Sequence, residues 1–362
     1  MKQIIRKMNL SIITCILVLV LNVTTTFAWA GLLNYSNVEN FDLSLNSLED
    51  YKLKVSLDGI NFSDNIDDLE FKKQILTNMG LYSIAYTDTN IKREFSKIIL
   101  NPVTTKRIGN ELGPFVSIDE IREEDFNYEG FKESNYVRQS YFNFDIYITL
   151  DYVGGETDEI YTDSYKDIYI TELSNLLNGE ERSYKLKSNY ILENYFKDIE
   201  LSTVKVNTSS AARISFTKYQ VMERGRPINS HILDTFIYQG GTQTPTEKDG
   251  VYSFGGFMNN SDNLAYLEFN DLHEEGPLSI DVFNEFYQNR VNNETGYEDA
   301  ISIDQLETDH IKLIDSNDKL NVNSMIKVNI KMWLEGFDAD CFEAIAALPV
   351  SFNLVLANYY LQ

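Results

Sequence analysis

Glu335, Asp338 and Asp340 lie within six residues of one another and beside Cys341, close enough in sequence to make a metal site conceivable. Carboxylates at such spacing suit a hard divalent cation that takes oxygen ligands. A second chemistry competes for Asp340. Its side chain is placed to cap a short helix, with Glu343 three residues on completing a capping box and Ala344, Ile345 and Ala347 forming the turn. The cap accounts for Asp340 without a metal and is the preferred reading, leaving the metal assignment open.

Other chemical candidates are dispersed. The three histidines, His231, His273 and His310, are far apart. His273-Glu274-Glu275-Gly276-Pro277 lacks the second histidine of a helical zinc pair. His310, next to Asp309 and ahead of Ile311 and Leu313, reads as the start of a strand. No nucleophile-elbow pattern frames a serine. Cys341, with no histidine near it in sequence, reads as a small buried residue and not as a reactive thiol. Asp125-Phe126-Asn127-Tyr128-Glu129-Gly130 opens like an EF-hand loop, but its twelfth position is Tyr136 where the loop needs Glu. The Asn-X-Ser/Thr triplets at Asn34, Asn61, Asn207, Asn259 and Asn293 are what an Asn-rich chain produces by chance. No catalytic set and no cofactor site emerges, so a non-enzymatic protein is expected.

The elements that would position these residues are mostly strands. Phe41, Leu43 and Leu45 alternate with polar residues, as do Tyr51, Leu53, Val55 and Leu57 up to the Asp58-Gly59 turn. Phe142, Phe144, Ile146, Ile148 and Leu150 form the clearest internal strand. Ile168 and Ile170 make a shorter one, with Asn178-Gly179 read as a turn signal beyond it. Val204 and Val206, then Ile214 and Phe216, flank the polar Asn207-Thr208-Ser209-Ser210. Near the C-terminus, Ile326, Val328, Ile330, Met332 and Leu334 share one face, and Lys327, Asn329 and Lys331 are placed in water. That register is well specified, because a one-residue slip would bury two lysines. Gly336 ends the strand, Pro349 stops the short helix, and Val350, Phe352, Leu354 and Leu356 are expected to pair back into the sheet. The 23 Tyr and 21 Phe supply the aromatic mass that half-buried strands favour.

Helical signals are few. Leu69 to Met79 carries Leu69, Lys72, Lys73 and Leu76 at helical spacing, although Glu70-Phe71 fits a strand equally well. A second candidate starts at Ser279, with Ile280, Phe283, Phe286 and Tyr287 on one stripe; residues 290–310 read as a surface loop. The fold class expected is all-β, a jelly-roll-like antiparallel β-sandwich with short helical insertions. No Pro/Gly/Ser linker or repeat divides the chain, so residues 31–362 are read as one elaborated domain.

Residues 1–30 are read as an export signal. Lys2, Arg6 and Lys7 form a basic start, and Ile12 to Leu21 an apolar run half as long as the ~20 residues a bilayer span needs. Ala28-Trp29-Ala30 supplies small residues for a signal peptidase, placing the mature start at Gly31. Cys15 sits inside the apolar run and lacks a lipoprotein context. The full chain carries a net charge of −24, and removing the signal leaves 28 Lys and Arg against 55 Asp and Glu. Such acidity argues against nucleic-acid binding, which needs a basic surface. With Cys15 removed, Cys341 has no intramolecular partner, so no disulfide staples the fold.

The Thr26-Phe27-Ala28-Trp29 ending resembles signals handled by the SipW-type signal peptidase. Trp333-Leu334-Glu335-Gly336-Phe337-Asp338-Ala339-Asp340-Cys341 resembles a C-terminal signature of surface proteins carrying that type of signal. On these two segments the chain is similar to the TasA and camelysin family of biofilm-fibre and cell-envelope proteins. The resemblance implies a jelly-roll sandwich, and assembly in which one subunit's N-terminal strand completes the next subunit's sheet. The expected role is a secreted structural subunit of an extracellular fibre, biofilm matrix or cell-surface layer. Its partners would be copies of itself or related surface subunits, with no membrane contact after cleavage. The alternative is a jelly-roll binding module for a surface glycan or other ligand, assisted by calcium. Residues 31–45, exposed on cleavage, either mediate that assembly or fold back as the first strand of the chain's own sandwich.

Overall fold

The computed structural model describes residues 37–358 apart from 48–50, 99, 106, 109, 118–133, 154–164, 172–175, 186–202, 229, 242–245, 254–299, 302–310, 337, 339 and 342–348. The export segment, the mature start, the helix expected from Ser279, most of the EF-like loop and the helix expected after Asp340 lie outside the described residues. In chain order, the first strands are β1 (Asn37–Asn46), β2 (Tyr51–Ser56), β3 (Val103–Thr104), β4 (Arg107–Ile108), β5 (Glu111–Leu112), β6 (Val116–Ser117) and β7 (Tyr141–Tyr152). Next come β8 (Ile168–Ile170), β9 (Asn178–Gly179), β10 (Glu181–Lys185), β11 (Thr203–Asn207), β12 (Ala212–Tyr219), β13 (Met222–Glu223) and β14 (Ile232–Gln239). The last are β15 (Thr246–Lys248), β16 (Val251–Ser253), β17 (Ala300–Ile301), β18 (Ile311–Ile314), β19 (Ser324–Leu334) and β20 (Pro349–Ala357). Two helices, α1 (Asp68–Asn78) and α2 (Asp88–Phe95), join β2 to β3, and a four-residue turn of helix, α3 (Asn135–Arg138), precedes β7.

The molecule is an all-β sandwich. One sheet has seven strands in the order β17-β14-β12-β19-β7-β2, with β13 also on β19; the other has five in the order β1-β20-β8-β18, with β9 also on β20. A four-stranded sheet, β10-β11-β16-β15, stands beside them. Most ladders are antiparallel, but β1 runs parallel to β20. These strand orders establish the sandwich and leave jelly-roll connectivity undemonstrated.

The core follows from the alternation in β7 and β19. Phe142, Phe144, Ile146, Ile148 and Leu150 are buried on β7, facing the same interior as Ile326, Val328 and Ile330 of β19. From the opposite sheet come Phe352, Leu354 and Leu356 of β20 with Ile168 and Ile170 of β8. Phe144 and Phe352 meet edge to face with centroids 6.0 Å apart, which joins the two layers. Burying each ring contributes roughly 2–3 kcal/mol. Phe71 of α1 and Phe95 of α2 pack on Phe144 and Phe142 from the same side.

Residues 68–78 resolve in favour of the helix. Asp67 caps α1 by accepting from the Leu69 amide, and the buried stripe is Phe71, Lys72, Ile75 and Leu76. Phe71 therefore belongs to a helical face and not to a strand.

Three expectations are corrected. β20 pairs into the five-stranded sheet and not with β19, so the chain crosses between layers between Leu334 and Pro349. Asn178-Gly179 is no turn: Gly179 and Asn178 pair with Val350 and Ser351. Asn329 faces away from water, because the outer face of β19 is also covered. Its amide donates to Asn143 Oδ1 at 2.7 Å and to Asp145 Oδ1 at 2.8 Å. Further along that face, Trp333 joins Val103, Leu112, Phe115, Val137, Tyr141 and Ile237 in a second, smaller core.

Candidate functional site

The chain following β19 turns sharply and buries its carboxylates. Asp338 N–H donates to the Glu335 carbonyl at 3.0 Å, and Cys341 N–H donates to the Asp338 carbonyl at 2.9 Å. Glu335, Asp338 and Asp340 are 0%, 3% and 1% exposed. Each has an identified donor. Trp333 Nε1 donates to Glu335 Oε2 at 3.0 Å, Ser253 Oγ to Asp340 Oδ2 at 2.7 Å, and the Asp340 N–H to Asp338 Oδ1 at 2.7 Å.

Among the described residues the cation paired with Asp338 is Arg213, fully buried near the start of β12, where it lies opposite Trp333 on one side and Gln239 of β14 on the other. Its Nη2 donates to Asp338 Oδ2 in a direct ion pair. Its Nη1 donates to the carbonyls of Ser210 and Ala212 at 3.4 and 3.2 Å. Among the described residues Arg213 Nε, Gln239 Nε2 and Ser215 Oγ, on the same face of β12 and β14, are buried without a hydrogen-bond partner. Burial pushes the Asp338 carboxyl up to about 6, against the pull of Arg213 and the Asp340 N–H and with a smaller upward push from Glu335. Burial, with the Asp338 and Glu335 carboxylates behind it, holds the Cys341 thiol well above its ordinary value. A thiol so placed stays protonated at neutral pH and is a poor nucleophile.

The structure therefore brings Glu335, Asp338, Asp340 and Cys341 together, with Asp338 paired to a guanidinium. Among the described residues no group of three or more His, Cys, Asp or Glu is placed to hold a metal. The cap expected at Asp340 concerns residues outside those described; the partners described here are Ser253 and the Asp338 carboxylate. His231 is exposed just before β14, and its carbonyl accepts from the Gln220 N–H. His273 and His310 lie outside the described residues. Asn61 is exposed, and its amide donates to Asp58. Asn207 Oδ1 accepts from the amide and hydroxyl of Ser209.

A second feature is an open groove of about 350 Å³ between the end of β2 and α1, lined by Asp58, Asn61, Glu70, Lys73, Gln74 and Thr77. Asp58 Oδ1 accepts from Ser56 Oγ and from the amides of Ile60 and Asn61, so this carboxylate is held rigidly at the rim. Gln74 is also engaged, donating to the Leu57 carbonyl and accepting from the Asp145 N–H.

A third is the sheet edge at β1. From Asn37 to Asn46 it pairs in parallel with β20, with a register shift between Val38 and Phe41, and Leu43 is buried. Among the described residues β20 is the one strand that β1 pairs with.

Sequence reasoning missed Arg213 and Ser253, the partners of the acidic turn. The available signal was the arginine in Ala211-Ala212-Arg213-Ile214-Ser215-Phe216, a lone charge in a run of small and apolar residues. No family model, no curated protein and no solved structure matches the chain.

Proposed function

We propose that the chain is an exported, non-enzymatic structural subunit of an extracellular fibre, biofilm matrix or cell-surface layer, and that copies join through the N-terminal strand. The observation that carries this reading is the placement of β1 at a sheet edge, parallel to β20. The two strands are nearly the whole chain apart in sequence, so no tight turn ties one to the other. A β1 from a second copy makes the same ladder on β20 as the chain's own, which is the geometry of strand exchange. Exchange that does not close on itself produces an open filament.

Deleting residues 31–46 and adding back a peptide of residues 37–46 tests the reading. The intact mature protein should form filaments in the electron microscope. The truncated protein should stay folded by circular dichroism, form none, and bind the peptide. Filaments that persist after the deletion overturn it.

A second reading, a binding module for a surface glycan, is favoured by the groove at Asp58. Under it the mature protein gives monodisperse particles, and Lys73→Ala with Glu70→Ala weakens glycan binding without altering the fold.

A further inference from the structure

Asp58 and Glu70 both line the groove between the end of β2 and α1, and among the described residues no lysine or arginine pairs with either. The four donors on Asp58 are neutral: Ser56 Oγ, the Ile60 and Asn61 N–H groups and the Asn61 side-chain amide. They aim the carboxylate and hold it ionised down to about 2 without neutralising its charge. Three of them bond Oδ1, so Oδ2, which takes the Asn61 amide, keeps a free lone pair toward solvent. Glu70 is exposed in the first turn of α1.

Lys73 is the cation of this lining. It stands three residues after Glu70, a spacing at which helical side chains meet, yet its Nζ lies over the Tyr82 ring, 5.5 Å from the centroid. That ring is fixed in turn. The Tyr82 N–H donates to the Leu76 carbonyl at 3.1 Å, and Tyr82 meets Tyr86 edge to face with centroids 5.9 Å apart. The lysine is thus engaged by an aromatic face, and the groove presents two carboxylates that the chain itself does not neutralise.

The rest of the lining is uncharged and suits hydroxyl groups. Gln74 Nε2 donates one of its hydrogens to the Leu57 carbonyl and has a second; Thr77 Oγ1 donates to the Lys73 carbonyl and keeps its lone pairs. Asn61 Oδ1 can accept, and Leu57 adds a half-buried apolar strip. At about 350 Å³ the groove falls within the size range of small-ligand sites. A ligand that matches it carries a cation for the carboxylates, hydroxyls for the amides and a compact ring for the space.

We propose that this groove takes an amino sugar, a hexosamine whose free ammonium donates to Asp58 and Glu70 while its hydroxyls meet Asn61, Gln74 and Thr77. The inference rests on the second reading above, that the groove binds a glycan, and adds the charge of the sugar. Hydrogen bonds between ionised partners are about twice as strong as neutral ones, so acetylating the amine removes the best contacts. A sugar acid instead brings like charge to both carboxylates, on a chain whose net charge is already −24.

The test is a nuclear magnetic resonance titration of the isotope-labelled mature protein at about pH 6, where an amine keeps its proton. The probes are the dimer of glucosamine and the same dimer with both amines acetylated. The free-amine dimer should bind roughly fivefold tighter, the gap between a charge-assisted and a neutral hydrogen bond, and should shift the side-chain amide signals of Asn61 and Gln74. Glu70→Gln, at an exposed helical position, should erase most of that preference. Glu181→Gln, an exposed acid on β10, lowers the chain's charge by the same amount and should keep it. Putrescine, which has ammonium groups and no ring, should bind more weakly than the free-amine dimer. Equal affinities for the two dimers overturn the hexosamine assignment and leave the glycan reading intact. A preference that survives Glu70→Gln, or putrescine binding as tightly as the sugar, overturns the assignment as well, and binding of neither dimer overturns the assignment and the glycan reading together.

Discussion

Gly240 and Ser209 touch backbone to backbone. A Cβ built on Gly240 would lie 2.1 Å from the Ser209 carbonyl oxygen, and one on Gly241 2.8 Å from that of Ser210. On the other side, Gly179 leaves no room before Asn207, Thr208 and Ser209. The turn between β11 and β12, polar in sequence yet buried, is gripped by glycines from both sides, and its Ser210 carbonyl accepts from Arg213.

Gly240→Ala should therefore destabilise the mature protein by ~3 kcal/mol, because backbone, which cannot swing aside, has to move. Gly250→Ala makes the contrast: that glycine has φ +80° and nothing within 4 Å, so only conformational strain of ~1 kcal/mol is expected. Urea midpoints of the two variants compare them directly, and equal losses would contradict the close approach.

Arg213→Met leaves Asp338 buried without its cation, which should cost ~3–5 kcal/mol. The double variant Arg213→Met with Asp338→Leu removes the charge as well as its partner and should recover most of that loss. A double-mutant cycle read by thermal unfolding gives both numbers; strictly additive effects would mean the two side chains do not interact.

The part of the fold legible in sequence was the part set by one apolar face. β2, β7 and β19 alternate cleanly and bury the predicted residues. What alternation cannot reveal is a second covered face, and so Asn329 read as solvent-facing although it is buried against Asn143 and Asp145. Sheet membership was equally hidden. β20 has the same pattern whether it pairs with β19 or crosses to β1 and β8, and the choice rests on contacts far apart in sequence. At the site, the closeness of Glu335, Asp338 and Asp340 was visible, but their meaning depended on Arg213, 125 residues before Asp338.

Asp58 predicts the opposite pH response from Asp338. Partial burial alone would raise its carboxyl, but the Asn61 N–H, the Ser56 hydroxyl, the Ile60 N–H and the Asn61 amide together lower it to about 2 from 3.8. The folded protein thus holds this carboxylate ionised where the unfolded chain protonates it. Its stabilisation is complete above the unfolded value and is lost as pH falls through about 2. Asp58→Asn should flatten the acid limb of the stability curve below about pH 4 and leave the limb near neutrality unchanged. A variant that still follows the wild-type acid limb would show that the four donors do not set the ionisation.

Leu43 offers the sharpest test of how β1 is held. Its side chain is buried, and its backbone stands opposite Leu354 in the parallel ladder. An aspartate there would carry a charge into the interior, a cost of several kcal/mol that one edge ladder cannot offset. Leu43→Asp should release β1 while β7, β19 and β20 keep their shared core, giving a lower melting temperature with little change in strand content by circular dichroism. It should also remove filaments, since the altered strand fits a neighbour's β20 no better than its own. Added wild-type peptide of residues 37–46 should then restore the melting temperature of the variant without restoring polymers, because a free peptide fills the edge but links no subunits. Restored melting together with restored filaments would mean that copies join at some other surface.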